Sequence, residues 1–132
     1  MSRTITPGVY FEKAERALSA ARVLLSADNT EGACNRAYYA MFDAAHAALL
    51  AANIGIADTS VKTHAGLISA FGKHLVQAGL VDVEHGRSFN QVQRLRQLAD
   101  YTGDPVSVDD AAWALDQAEA FVAAVKAKFS RG

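Results

Sequence analysis

The sequence predicts an all-α protein, an antiparallel up-and-down helical bundle of about five helices, in a single domain that spans residues 1–132. Hydrophobic residues make up 51% of the chain, and in the long segments they recur at the three-to-four-residue spacing of an α-helix. The two prolines, Pro7 and Pro105, lie outside these segments, and no hairpin turn separates alternating runs. Because the loops between segments are short, we expect antiparallel neighbours.

The first two predicted helices are separated by a polar break. The first helix runs from about residue 9 to 27 and ends at Asp28-Asn29-Thr30, and the second runs from about residue 31 to 53, before a loop marked by Gly55 and Asp58. Apart from one polar stripe, the second helix is apolar around nearly its whole circumference. A helix of this kind belongs at the centre of a bundle.

Three further helices are predicted from capping residues and helix stops. Residues that stabilise helix ends stand at the expected places: Thr59 or Ser60 before and Gly79 after the third helix, Gly103 after the fourth, and Ser107 with Asp110 three residues later at the start of the fifth. The fourth helix is expected to start near Asp82. The third helix is expected to run to about Gln77, and the fourth to about Thr102.

Composition excludes several classes of protein. The chain has 13 Lys and Arg against 14 Asp and Glu, so a broadly basic nucleic-acid coat is not expected, although a local basic patch stays open. One cysteine, Cys34, forms neither an intramolecular disulfide nor a four-thiolate zinc site. Glu-x-x-His pairs and phosphate-binding glycine loops are absent, so we expect no metal and no cofactor. Without a signal-peptide or membrane-spanning run, a cytoplasmic protein with no membrane contact is expected.

The second helix carries a polar stripe on an otherwise apolar surface. At 100° per residue, five polar side chains fall within a sector of about 100° on this helix, and they are Asn35, Arg36, Tyr39, Asp43 and His46. Two interpretations stay open. The stripe forms an internal hydrogen-bond network or the exposed edge of the helix, or it contributes to a binding cleft.

The fourth helix places Arg96 beside its apolar face, with Asp100 one turn later. The pair is either a buried ion pair or a site where the planar donor fork of Arg96 binds phosphate or an RNA backbone. Near the start of the third helix, Lys62 and His64 are candidate anion-binding residues, because helix N-termini attract anions, although residues at such positions are usually just exposed.

Three blocks of sequence resemble the small prokaryotic HEPN-domain proteins. They are Asn35-Arg36-Ala37-Tyr38-Tyr39-Ala40-Met41-Phe42, Lys62-Thr63-His64-Ala65-Gly66-Leu67 followed by Phe71, and Arg96-x-x-Ala99-Asp100-Tyr101. Their order and spacing match the family, and together they cover nearly the whole chain. The resemblance implies a helical bundle that usually pairs as a homodimer through its central helices.

The resemblance also implies a range of activities. Many HEPN proteins are RNases and toxins, often paired with a minimal nucleotidyltransferase (MNT) antitoxin. In catalytic members an Arg and a following His on one helix face each other across the dimer and cleave RNA without metal. Arg96 matches that Arg, but no His follows it. Tyr101 loosely resembles the Tyr that some MNT partners adenylylate, at a different offset.

Two functional hypotheses therefore stay open beside a bundle without any site. In the first, the protein is a toxin-like RNase that acts as a homodimer, with Arg96 and Asp100 at the reacting phosphate. Other residues would shape the cleft, namely Arg36, Tyr39, Asp43, His46, Lys62, His64 and Tyr101. In the second, it is a non-catalytic HEPN subunit that binds a nucleotide or an MNT partner.

Overall fold

The computed structural model describes residues 6–53 and 63–129 and confirms the all-α prediction, with five helices and no strand in those ranges. The helices are α1 (Pro7–Ser26), α2 (Thr30–Ala51), α3 (His64–Phe71), α4 (Val83–Thr102) and α5 (Val108–Phe129). A π-helical turn, Gly72–Val76, continues α3. No helix in the described part of the chain is both long and apolar enough to cross a membrane.

Capping residues set the ends of three helices close to where the sequence predicts them. The Asn29 side chain accepts a hydrogen bond from the Gly32 backbone N–H at 2.9 Å and begins α2. The Ser107 hydroxyl accepts from the Asp110 N–H at 3.0 Å and begins α5. Gly103 adopts a left-handed conformation, with φ 75°, and ends α4.

The third helix differs in detail from its prediction. Its predicted caps, Thr59 and Ser60, lie outside the described residues, and the cap that the structure describes is Thr63. The predicted run to Gln77 is α-helical only to Phe71, after which the Gln77 N–H bonds to the Gly72 carbonyl at 2.9 Å, five residues back. Hydrophobic spacing cannot distinguish this wider turn from an α-helix, because Leu67, Phe71 and Leu75 are buried as an α-helix would also predict.

Helices α1 and α5, the first and the last of the bundle, run antiparallel to each other. Opposite ends of α1 and α5 meet in two pairs, Arg22 with Glu119 at 2.9 Å and Lys126 with Glu15 at 4.0 Å. These side chains are exposed, so the pairs mark the helix direction and add little stability. Helix α2 contacts each of the other four helices. The predicted central place of α2 is therefore confirmed.

Small residues build the centre of the bundle. Helix α2 buries alanine at many of its positions, which are Ala33, Ala37, Ala40, Ala44, Ala45, Ala47 and Ala48. These short side chains let neighbouring helices approach closely. Larger side chains fill the space between α3, α4 and α5, where the rings of Phe71, Phe89 and Phe121 lie 5.2–5.7 Å apart. The core between these three helices is therefore aromatic.

Candidate functional site

Arg96 lies in the middle of α4 and extends over the aromatic face of α2. Its guanidinium carbon is 4.5 Å from the ring centre of Tyr38 and 5.7 Å from that of Tyr39. Both distances are typical of cation–π contacts. The Arg96 Nε donates a hydrogen bond to the Gln93 side-chain oxygen at 3.1 Å. One edge of the guanidinium is thus held in place, and the two terminal nitrogens make no hydrogen bond to a described residue.

The ion pair between Arg96 and Asp100, one of the two interpretations of the sequence, does not form. Asp100 is exposed, and no ion pair joins the two side chains. The reason is geometric, because long helical side chains lean toward the helix N-terminus. Arg96 therefore reaches Gln93, one turn back, and the rings of α2, and does not turn toward Asp100 in the following turn.

His64 is the first residue of α3 and meets the same aromatic face. Its Nδ1 lies 2.7 Å from the Tyr38 hydroxyl oxygen, a short hydrogen-bond distance. The imidazole also lies 4.7 Å from the ring centre of Phe42 and 5.7 Å from that of Tyr39. Because Nδ1 is engaged by Tyr38, Nε2 is the ring nitrogen left to meet a ligand.

Burial and nearby charge determine the ionisation of these groups. Burial lowers the pKa of His64 below its ordinary value, and the positive charge of Arg96 lowers it further. His64 is therefore neutral near pH 7 and has a lone pair for accepting a proton. Burial raises the pKa of Tyr38 to about 12, against the lowering effect of Arg96. Tyr38 thus keeps its hydroxyl proton across the physiological range.

We call these five residues, Arg96, His64, Tyr38, Tyr39 and Gln93, the Arg96–His64 cluster. The sequence predicts Arg96, His64 and Tyr39 as site residues but not Tyr38 or Gln93, because Tyr38 lies outside the polar stripe of α2. A usable signal was present in the sequence. A tyrosine on a fully buried helix face needs a partner for its hydroxyl.

Two other residues of the α2 stripe, Arg36 and Asp43, lie in a groove between α1 and α2. Asp43 is buried there with an exposed fraction of 9%, in a groove of about 200 Å³ lined by Lys13, Arg16, Ala17, Ala20, Arg36 and Asp43. We call this the basic groove. Burial raises the pKa of the Asp43 carboxyl, while Lys13, Arg36 and Arg16 act to lower it.

His46 lies on the α1 side of α2, apart from the Arg96–His64 cluster. Its ring stacks on Tyr10 of α1 with centres 4.2 Å apart, and the Lys13 ammonium lies 5.2 Å from the same Tyr10 ring. Burial lowers the pKa of His46, and Lys13 lowers it further. Phe42 lies between the two histidines, 6.4 Å from His46. His46 therefore helps to pack α1 against α2.

The sequence also predicts Tyr101 and Lys62 as site residues. Tyr101, with 90% of its surface exposed, extends into solvent near the end of α4. Lys62 lies outside the described residues. Within residues 6–53 and 63–129, no three His, Cys, Asp or Glu side chains gather where they could hold a metal ion.

The position of His64 depends on the cap of α3. The Thr63 hydroxyl accepts a hydrogen bond from the Gly66 backbone N–H at 2.9 Å. We expect Thr63→Ala to lower the free energy of unfolding by about 1 kcal/mol, because a helix N–H loses its partner. Urea unfolding measures the change, and Thr63→Ser, which keeps the hydroxyl, is the matched control. Equal stability of the alanine variant and the wild type would contradict the capping role.

The chain matches a known protein family over most of its length. Residues 8–128 match the HEPN domain. The chain belongs to the HEPN family. This match spans all five helices and confirms the resemblance seen in the three sequence blocks.

Several HEPN relatives share a large part of the chain. A protein of Gloeobacter violaceus named "UPF0332 protein glr0978" is 44% identical over 70% of this chain and 69% of its own length. A protein of Methanocaldococcus jannaschii named "Putative toxin MJ0605" is 38% identical over 87% of this chain and 82% of its own. A Thermotoga maritima "UPF0332 protein" is 34% identical over 67% and 64%.

Proposed function

We propose that this HEPN protein is a toxin-type endoribonuclease that cleaves RNA without a metal ion and acts as a homodimer. The observation that carries the proposal is the meeting of Arg96 and His64 on the ring of Tyr38. A guanidinium can hold a phosphate, and a neutral imidazole can take the proton of a 2′-hydroxyl. His64 would supply, from α3, the imidazole that catalytic relatives carry after the Arg on one helix.

The role proposed for each residue follows from the nitrogen atoms that it can offer to a substrate. The terminal nitrogens of Arg96 would hold the two non-bridging oxygens of the phosphate in a bidentate contact. His64 would donate its Nδ1–H to the Tyr38 oxygen, so that the lone pair on Nε2 takes the proton of the ribose 2′-hydroxyl. The 2′-oxygen would then attack phosphorus and form a cyclic 2′,3′-phosphate. The bond to the 5′-oxygen breaks, that oxygen takes a proton from water and leaves as a hydroxyl, and protonated His64 returns its proton to the solvent.

The toxin part of the proposal is supported by the name of one relative and by the family. The Methanocaldococcus jannaschii relative covers 87% of this chain and is named as a toxin. We propose that the partner is an MNT nucleotidyltransferase acting as antitoxin, and that two copies of the chain pair through their central helices. Sedimentation of the purified protein, alone and with the nucleotidyltransferase, would measure both associations.

The role of His64 is tested by a substitution. We expect His64→Ala to lower the rate of RNA cleavage in EDTA about 100-fold, the lower end of what a general base contributes. His74→Ala is the matched control, because His74 lies on the turn after α3 and outside the cluster. Cleavage by the His64→Ala variant at the wild-type rate would contradict this proposal.

The pH profile gives a second readout of the same residue. A general base works in its neutral form, and burial lowers the pKa of His64 below the ordinary 6.5. Cleavage should therefore stay constant from pH 8 to about pH 6.5 and fall only as the pH drops through the lowered pKa. A rate that rises as His64 becomes protonated would assign it a different role.

The alternative function is a non-catalytic HEPN subunit that binds a nucleotide or an MNT partner. The exposure of Tyr101 favours it, since 90% of its surface is open to a modifying enzyme, and so does the absence of His in the turn after Arg96. Incubation with an MNT enzyme and ATP, followed by peptide mass analysis, tests it. Adenylylation of Tyr101 in a protein that cleaves no RNA would replace the proposal above.

A further inference from the structure

We infer that the basic groove between α1 and α2 binds RNA phosphates and extends the Arg96–His64 cluster into a track for single-stranded RNA. This inference rests on the proposed function, because it names the substrate of the same site. The ligand is a strand several nucleotides long, with one phosphate at Arg96 and others in the groove. A mononucleotide would fill only part of such a track.

The first support is the arrangement of three cations. Lys13 and Arg16 lie one turn apart on α1, and Arg36 faces them from α2 across a groove of about 200 Å³. All three side chains are exposed, and none forms an ion pair within the described part of the chain. Cations gathered around an open groove attract an anionic ligand.

The second support is the local charge balance. The chain as a whole has a net charge of −1, yet three cations surround a single carboxylate, Asp43, in the groove. The acidic side chains Glu12 and Glu15 line a separate groove with Lys126 on the other side of Arg16. Asp43 is buried and balances only one of the three charges. The groove therefore keeps an excess of positive charge.

The third support is continuity with the Arg96–His64 cluster. Tyr39 lies between the two places, with the Arg36 guanidinium carbon 5.0 Å and the Arg96 guanidinium carbon 5.7 Å from its ring centre. The two guanidinium groups thus share one aromatic ring. A phosphodiester backbone that reaches Arg96 can continue past Tyr39 to Arg36, and then to Lys13 and Arg16.

The experiment measures binding of an RNA that cannot be cleaved. Wild-type protein and the double variant Lys13→Ala/Arg16→Ala are titrated with a 2′-O-methyl oligonucleotide of twelve nucleotides and with the matching dinucleotide. The control variant, Lys73→Ala/Arg94→Ala, removes the same charge from two exposed positions outside the groove. Circular dichroism confirms that all three proteins are folded, and sedimentation measures their oligomeric state.

We expect the groove variant to bind the twelve-nucleotide strand at least tenfold more weakly than the control variant. The preference for the long strand over the dinucleotide should shrink. The plot of log affinity against log salt concentration has a negative slope, which should become shallower by about 1.4. This is about 0.7 for each of two lost phosphate contacts. Arg36→Ala should weaken binding of the long strand as well.

Two results would overturn the inference. One is equal affinity of the groove variant and the control variant for the long strand. The other is a loss of dimer in the groove variant with RNA affinity unchanged, which would assign the groove to a protein interface. The test does not depend on catalysis, because the probe has no free 2′-hydroxyl. A protein that binds the strand through the groove but cleaves no RNA would support the track and refute the RNase.

Discussion

We expect Arg96→Ala to lower RNA cleavage by about 10³-fold or more, the largest effect of any single substitution on activity. The guanidinium is held over Tyr38 and by Gln93 before substrate arrives, so its terminal donors meet the phosphate without reorganisation. Preorganised cationic donors of this kind contribute on the order of 10³–10⁵ to phosphoryl chemistry. Cleavage of a defined RNA in EDTA, with product analysis for the cyclic phosphate, measures the loss.

Two further variants make the Arg96 result specific. Arg94→Ala removes an exposed arginine from the same helix and should leave cleavage near the wild-type rate. Arg96→Lys keeps the positive charge but loses the planar donor pair and much of the stacking on Tyr38. We expect this variant to stay well below wild type. Equal activity of Arg96→Ala and Arg94→Ala would remove Arg96 from the mechanism.

The largest effect on stability is expected for Phe121→Ala. Phe121 is fully buried in α5, and its ring centre lies 5.2 Å from those of both Phe71 and Phe89. Removing a buried phenylalanine ring costs about 3–5 kcal/mol, because apolar burial is lost and a cavity is left behind. Urea unfolding followed by circular dichroism should show a clear drop in the midpoint at an unchanged slope.

Val108→Ala is the matched control for that measurement. Val108 lies at the exposed start of the same helix, with 56% of its surface accessible, so we expect a change within about 0.5 kcal/mol. A loss below 1 kcal/mol in Phe121→Ala would show that the three phenylalanines are not the centre of the core. The Phe121 variant should also disturb the site, because Phe89 packs against Tyr38 at 6.1 Å.

The helices could be predicted from the sequence because their signals are local. Asn29 and Ser107 cap the next turn of their own helices, and hydrophobic spacing depends on residues three and four apart. The central place of α2 followed from its apolar circumference alone. The pattern also placed Arg96 correctly at the inner side of α4, where a solvated charge would not be expected.

The site itself depended on contacts between helices. The meeting of His64 with Tyr38 joins residues 26 positions apart, and it requires a particular rotation of α3 over α2 that no local pattern specifies. The residues of the polar stripe of α2 contact two different neighbouring helices. Tyr39 meets Arg96, whereas Asp43 and Arg36 face α1. The partner of Arg96 was likewise decided by the direction of its side chain.

The sequence by itself determined the all-α class, the order of the helices, the central place of α2 and the family, because these depend on spacing and on motifs along the chain. Only the tertiary structure decided which histidine joins Arg96 and which cations surround Asp43. The physical reason is one of range. Hydrogen bonds within a helix act over four residues, whereas helix packing sets the rotation and offset that bring distant side chains together.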